Sequence, residues 1–298
     1  MSESRIKYLL GIDGGGTKTE FLLTDIDEKE IKRVVLATSN PVNVGIEKAE
    51  EVLRQGIMQL CEGLDFAEIS VFAGLAGGVS QEINSEIRRF LGSFGFGAYS
   101  NATDADSALA VALRGGEGTA VIMGTGVIAF TRSEGEIYRT GGRGYMIDKG
   151  GSGFCFGSDA LNSAIEYLDG RGGSKLIFDL VTEKLGKDID EAIPEIYAGG
   201  TTRVASFAPV VFDAYLQGDA DAKRIIDRNA YEVAKIIKAA RRHLKKTEKT
   251  VICGGLCKQS DILRPFLLSY LEEDAPVIFS TEPIINGAVL LAKDGIYD

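Results

Sequence analysis

Residues 9–24 read LLGIDGGGTKTEFLLT. Residues 8–12 are an apolar run ending on Asp13. Gly14, Gly15 and Gly16 follow, then Thr17, Lys18 and Thr19, and residues 21–23 are apolar again. Two short apolar runs bridged by glycine predict a β-hairpin. Three glycines exceed what a tight turn needs. They let the backbone approach a bulky anion and aim its N–H groups at it. Thr17 and Thr19 offer hydroxyl donors, and Lys18 offers a positive charge. Asp13, at the strand end beside the turn, suits a water-mediated hold on Mg²⁺. GxxxxGK[ST] is absent and no helix pattern follows, so this is not a Walker A loop. A plain hairpin with a glycine turn is the simpler alternative.

Working outward, residues 119–132 repeat the pattern as TAVIMGTGVIAFTR, with Gly124, Thr125 and Gly126 between two apolar strands. A third short strand, EIYRT at 136–140, follows. Two such units suggest two similar halves facing one nucleotide. Near the C-terminus, VICGGLCKQSDIL at 251–263 gives a strand, the pair Gly254 and Gly255, and then a helix from Gln259.

These three segments, in this order, resemble the phosphate-1, phosphate-2 and adenosine motifs of the sugar kinase, actin and heat-shock ATPase superfamily. Within it the chain is similar to the branch containing N-acetylglucosamine kinases and the ATPases related to benzoyl-CoA reductase. The resemblance runs over nearly the whole chain. It implies an α/β fold of two ribonuclease H-like (actin-like ATPase) domains, each a mixed five-stranded sheet with flanking helices, around a nucleotide cleft. The expected domains are 1–115 with a C-terminal helix at 285–298, and 116–284. An interruption at LRGGEG, residues 113–118, marks the boundary.

Composition sets limits on partners. The chain has 298 residues, 45% hydrophobic and 26% charged, which suits one or two globular domains. A net charge of −10 argues against a nucleic-acid partner. No apolar run approaches a membrane span, and the N-terminal apolar stretch is too short for a signal peptide. A cytoplasmic protein is expected, and by resemblance a homodimer. Cys61, Cys155, Cys253 and Cys257 fit reduced thiols. Cys253 and Cys257 lack the second pair a zinc site needs. His243, the single histidine, lies in the basic run ARRHLKK and reads as a solvated helix residue.

Along the chain, a third strand over 31–38 ends at Ser39-Asn40-Pro41, so residues 40–45 are predicted to form a loop at a strand end. It could be a capping turn. By resemblance, Asn40 would hydrogen-bond the sugar. A helix is predicted over 46–60, a strand over 69–73, and then GLAGG at 74–78, whose Gly77 matches the family's glycine-rich segment near the sugar. A helix over 84–94 and a strand over 99–103 lead to TDADSALA. A carboxylate at a strand end just before a helix can point into a cleft, and phosphoryl transfer to an alcohol needs a base there. Asp104 or Asp106 could instead cap the helix. By resemblance Asp104 is the catalytic base.

Residues 140–161, TGGRGYMIDKGGSGFCFGSDAL, hold seven glycines and mark a close backbone approach. The resemblance implies a sugar-binding segment with Gly142, Arg143 and Asp148 in it. Two departures stand out. Arg143 takes the place of the family's tryptophan, and the family's GDEGS becomes DKGGS, with Lys149 at the usual aspartate and Asp148 one residue earlier. An arginine is a natural carboxylate partner, which favours an acidic sugar such as N-acetylmuramic acid; a surface arginine is the alternative. Helices are predicted over 160–168, 175–185, 189–197, 204–216, 222–244 and 259–272, a strand over 276–279, and a last helix over 285–293. By resemblance Ala205 lies beside the nucleotide.

The expected function is ATP- and Mg²⁺-dependent phosphorylation of an amino sugar or N-acetyl amino sugar: N-acetylglucosamine, N-acetylmuramic acid or glucosamine. Two alternatives remain: an ATPase activator of a CoA-ester dehydratase or reductase carrying an iron–sulfur cluster, with Cys155 as its one candidate ligand, and a nucleotide-binding regulator.

Overall fold

The glycine stretch forms the hairpin its pattern predicts. β1 (Tyr8–Gly14) pairs antiparallel with β2 (Lys18–Asp25), with Gly14 opposite Thr19. The computed structural model describes residues 5–77, 80–148, 150–271 and 275–295. β3 (Glu30–Ala37) extends the meander, Lys18 facing Ala37. A one-turn helix α1 (Pro41–Val44) and then α2 (Ile46–Leu60) follow. β4 (Ile69–Leu75) returns parallel to β1, α3 (Gln81–Gly92) leads on, β5 (Ala98–Ala102) runs parallel to β4, and α4 (Asp104–Leu113) follows it. The sheet order is β3-β2-β1-β4-β5.

The same plan recurs. β6 (Gly118–Met123), β7 (Val127–Ser133) and β8 (Glu136–Gly141) form an antiparallel meander. The helices α5 (Gly153–Leu168), α6 (Lys175–Leu185), α7 (Ile189–Ala198), α8 (Gly200–Ala205), α9 (Ala208–Leu216) and α10 (Ala220–Arg241) come next. β9 (Thr250–Cys253) then pairs parallel with β6, α11 (Ser260–Leu268) follows, and β10 (Val277–Phe279) pairs parallel with β9. Read from β8, the order β8-β7-β6-β9-β10 repeats that of the first sheet. The final helix α12 (Ile285–Asp294) belongs to the first half. The chain thus divides into two compact units, Met1–Gly115 with Glu282–Asp298, and Gly116–Thr281.

At its centre, along β1 and β4, the first sheet is buried on both faces, which is why β1 reads as a continuous apolar run. Leu10, Ile12, Phe21 and Leu23 pack under α2 with Leu53 and Ile57. On the other face Leu9, Leu22 and Phe72 meet Ile285, Ala288, Val289 and Ala292 of α12. Gly11 permits that approach: a Cβ there would lie 2.9 Å from the Val289 side chain. In the second unit Val121, Met123, Val127 and Ala129 pack with Phe156, Phe212, Ile226 and Val233.

The differences from the sequence reading have local causes. The single helix expected over 204–216 is two, α8 and α9, broken at Ser206 and Phe207. Pro209, in the first turn of α9, has no N–H to continue the ladder. α5 starts at Gly153, earlier than its apolar periodicity reveals, because glycines occupy its first turns. Residues 40–45 are a capped helical turn rather than a loop. The adenosine segment continues as a short 3₁₀ turn, Gly255–Gln259, before α11. His243 lies beyond the end of α10 and stacks on Tyr138 at 4.3 Å. No helix among the described residues is long and apolar enough to cross a membrane.

Candidate functional site

In the first unit the predicted residues collect at the C-terminal ends of parallel strands, where open α/β sheets build their sites. The β1–β4 register sets Asp13 opposite Gly74 and Gly14 opposite Leu75, and the Ala76 N–H donates to the Gly14 carbonyl at 2.7 Å. The turn closes through the Gly15 N–H to the Lys18 carbonyl, 2.9 Å. Gly14 is required by packing, since a Cβ would lie 2.5 Å from Leu75 Cδ2 and 2.6 Å from Ser39 Oγ. Gly15 and Gly16 are not. A Cβ on Gly15 makes one ordinary contact at 3.5 Å, one on Gly16 meets nothing within 4 Å, and neither adopts a left-handed φ.

Thr17 is exposed. Lys18 is exposed too, and pairs with Glu20 at 3.3 Å. Thr19 does not offer its hydroxyl outward, as expected of it: it is buried, donates to Ser39 Oγ at 2.8 Å and accepts from the Ser39 N–H at 2.8 Å. Alternation along β2 turns it into the sheet.

Asp13 is partly buried. That burial, then the negative charges of Asp104 and Glu20, push its carboxyl up to about 7, with Lys18 pulling the other way. A carboxyl so placed favours a cation nearby. Asp104 opens α4 but does not cap it. Thr103 is the N-cap, and Asp106 accepts from the Thr103 N–H at 3.0 Å and its hydroxyl at 2.8 Å. Capping therefore falls to Thr103 and Asp106, and Asp104 stands next to Asp13's field.

Asn40 caps α1, its Oδ1 accepting from the Val42 N–H at 3.0 Å. Its amide nitrogen makes no hydrogen bond to the described residues. Gly77, at φ 82°, lies directly against Asn40 Oδ1, so any side chain there would displace it. Gly78 and Lys149 lie outside the described residues.

The second unit gathers its residues around the start of α5. The Gly124 N–H donates to the Gly126 carbonyl at 2.9 Å. The N–H groups of Gly153 and Phe154 donate to the carbonyls of Gly124 and Thr125, at 2.8 and 3.0 Å. A Cβ on Gly153 would lie 3.7 Å from that of Ala205, and Gly157 packs on Val204 and Ala205. Gly254, at φ 104°, sits on the end of β6, where a Cβ would lie 2.6 Å from the Met123 carbonyl. Gly124, Gly126 and Gly255 have open space around a Cβ and no left-handed φ. Gln259 ends the 3₁₀ turn.

The loop after β8 is braced at both ends. Arg139 donates to the Gly141 carbonyl at 3.2 Å and to that of Gly142, and Asp148 Oδ2 accepts the Arg143 N–H at 3.0 Å. Gly142, at φ 73°, packs on Ile128. The Arg143 guanidinium is exposed and has no ion pair among the described residues. Tyr145 lies on Phe154, ring centroids 4.8 Å apart. Cys155 is in the first turn of α5 beside the Ser152 hydroxyl, 3.4 Å away. Cys61, Cys253 and Cys257 are buried. Among the described residues no three His, Cys, Asp or Glu side chains group as metal ligands. The sequence reading missed Thr38, whose Oγ1 donates to the Gly15 carbonyl at 2.8 Å and accepts from the Asn40 N–H at 3.1 Å. A hydroxyl between a strand and a turn was its only signal.

Known proteins are similar to this chain over nearly its whole length. A Clostridium acetobutylicum N-acetylmuramic acid/N-acetylglucosamine kinase is 32% identical over 303 residues, covering 97% of this chain and 99% of that one. A Dictyostelium discoideum N-acetyl-D-glucosamine kinase is 29% identical over 96% of this chain and 98% of its own. The structure of a ROK family glucokinase from Streptomyces griseus, in complex with glucose and AMPPNP, superposes with a TM-score of 0.62 over 98% of this chain and 100% of that one; at 15% identity the likeness is of fold. The BadF/BadG/BcrA/BcrD ATPase family model matches residues 10–292, and the chain belongs to that family.

Proposed function

We propose that this protein is an ATP-dependent sugar kinase acting on an amino sugar or N-acetyl amino sugar. One observation carries the nucleotide half of this reading. Gly15, Gly16, Gly124, Gly126 and Gly255 occupy the three motif turns, yet neither backbone conformation nor packing against the described residues requires glycine at any of them. A ligand pressed against the backbone supplies the missing reason. Full-length similarity to amino-sugar kinases supports the acceptor half.

In the first unit the turn at Gly15 and Gly16, with the Gly15 N–H kept on the Lys18 carbonyl, presents its remaining backbone N–H groups, Thr17 and Lys18 to phosphate oxygens. Asp104 accepts the proton of the sugar hydroxyl as the γ-phosphoryl is transferred. Asn40, its amide nitrogen available, and the backbone at Gly77 orient the sugar. In the second unit, the turn at 124–126 takes phosphate oxygens, and Gly254, Gly255, Gln259 and Ala205 take the adenosine. Gly142, Arg143 and Asp148 form the acceptor loop. Asp13 fits a hold on Mg²⁺ through water, since its carboxyl lies among negative neighbours that a cation would relieve. Mg²⁺, when bound, neutralises charge on the β- and γ-phosphates. By resemblance, the reading extends to a homodimer in the cytoplasm.

Arg143 favours an acidic acceptor within this class. Its guanidinium is exposed and without an ion pair among the described residues, on a braced loop, and an arginine–carboxylate contact is bidentate and strong. The test is ADP release against glucose, glucosamine, N-acetylglucosamine, N-acetylmannosamine and N-acetylmuramic acid. Turnover on N-acetylglucosamine or N-acetylmuramic acid, with glucose far behind, is expected. ATP hydrolysis indifferent to every sugar would overturn the kinase reading.

A further inference from the structure

We infer that Thr38 is a positioning residue for phosphoryl transfer, one hydroxyl that locks the first glycine turn to the acceptor asparagine; the inference rests on the kinase reading above. Thr38 lies one residue beyond β3, outside the strand ladder. The β2–β3 register, Lys18 opposite Ala37, brings residue 38 beside the turn. Its Oγ1 donates to the Gly15 carbonyl at 2.8 Å and accepts from the Asn40 N–H at 3.1 Å. Gly15 belongs to the turn that holds the phosphoryl donor. Asn40 holds the acceptor. A single oxygen therefore fixes the separation between the two halves of the reaction.

Neighbouring contacts leave this role to Thr38. Thr19 and Ser39 pair their hydroxyls with each other and secure the strand, not the turn carbonyl. Asn43 reaches only the next carbonyl, that of Gly16, at a long 3.4 Å. Threonine is suited to the task because its β-branch restricts χ1 and keeps the hydroxyl aimed. Displacement reactions tolerate little misalignment, so loosening the link acts on the transition state more than on either ground-state complex.

The measurement uses the full chain with Thr38→Val, which keeps shape and loses the hydroxyl, and Thr38→Ser, which keeps it. Steady-state kinetics on the best sugar of the panel are paired with titration of ATP·Mg²⁺ and a thermal melt. T38V is expected to lower kcat by about tenfold, from two lost hydrogen bonds, with ATP affinity changed by less than about threefold. T38S should stay within about threefold of wild type in kcat. A melt that drops in T38V while kcat holds would make Thr38 merely structural and overturn the inference, as would equal losses in T38S and T38V. Should T38V not fold, T38A carries the same test. Wild type inactive on every sugar would overturn the kinase reading and this inference with it, whereas active wild type with wild-type kcat in T38V overturns this inference alone.

Discussion

The two units share a sheet order and a glycine turn on the first hairpin, yet they anchor that turn by different chemistry. In the first unit a side-chain hydroxyl joins the backbone bonds: Thr38 takes the Gly15 carbonyl, while the buried Thr19–Ser39 pair secures the strand behind it. In the second, backbone does it, through the N–H groups of Gly153 and Phe154 at the start of α5. A turn held by side chains can be tuned by one substitution. A turn held by a helix start is indifferent to side-chain identity and sensitive to anything that moves the helix. The carboxylates Asp13 and Asp104, near enough for the charge of one to act on the other, both belong to the first unit, and the kinase reading proposed above therefore puts the proton transfer there.

That division gives the largest expected effect. Asp104→Asn keeps shape but cannot take a proton, so turnover should fall by at least about a hundredfold, the usual worth of a general base. Thr103 and Asp106 cap α4 without it, so the melting temperature should not drop. Steady-state kinetics and a melt on this variant check both; retained turnover would remove Asp104 as base. Next in size is Gly157→Ala in the second unit. A Cβ there would press into the Val204 carbonyl, pushing α8 from α5. A loss of about 1–3 kcal/mol in denaturant unfolding is expected, as for overpacking. The matching substitution in an open turn, Gly124→Ala, should leave stability within about 0.5 kcal/mol of wild type. The smallest effect concerns thiols. Burial pushes Cys61 up to about 12 and Cys257 up to about 11, so neither forms appreciable thiolate at pH 8. Alkylation of the folded protein, mapped by mass spectrometry, should modify Cys155 first. Early labelling of Cys61 or Cys257 would contradict the packing described for either unit.

Much of this was legible in the sequence, for definable reasons. The hairpins show because apolar runs break at glycines, and α2 shows because Ala49, Leu53, Ile57 and Leu60 recur at helical spacing. Asp13 and Asp104 could be singled out because each stands at a strand end, and strand ends are where sites form. Side-chain direction was less accessible. Thr17 and Thr19 look alike in sequence, but Thr19 lies within β2 and is buried, whereas Thr17 lies in the turn before the strand and is exposed. Asp104 and Asp106 look equally able to cap, and only the helix start assigns that task to Asp106. Thr38 was invisible because its role depends on register: Lys18 must face Ala37 before residue 38 can reach Gly15. The break between α8 and α9 was hidden because apolar periodicity runs through it, while Pro209 decides against it.

The most direct test of nucleotide binding is Gly16→Val in the first unit's turn. A side chain at Gly16 meets no atom of the protein within 4 Å, so the variant should fold and melt as wild type does. Calorimetric titration with ATP·Mg²⁺ should nevertheless find affinity reduced by on the order of a hundredfold or more, because the side chain would occupy the space proposed for the phosphates. A folded Gly16→Val protein that binds ATP·Mg²⁺ as tightly as wild type would contradict it.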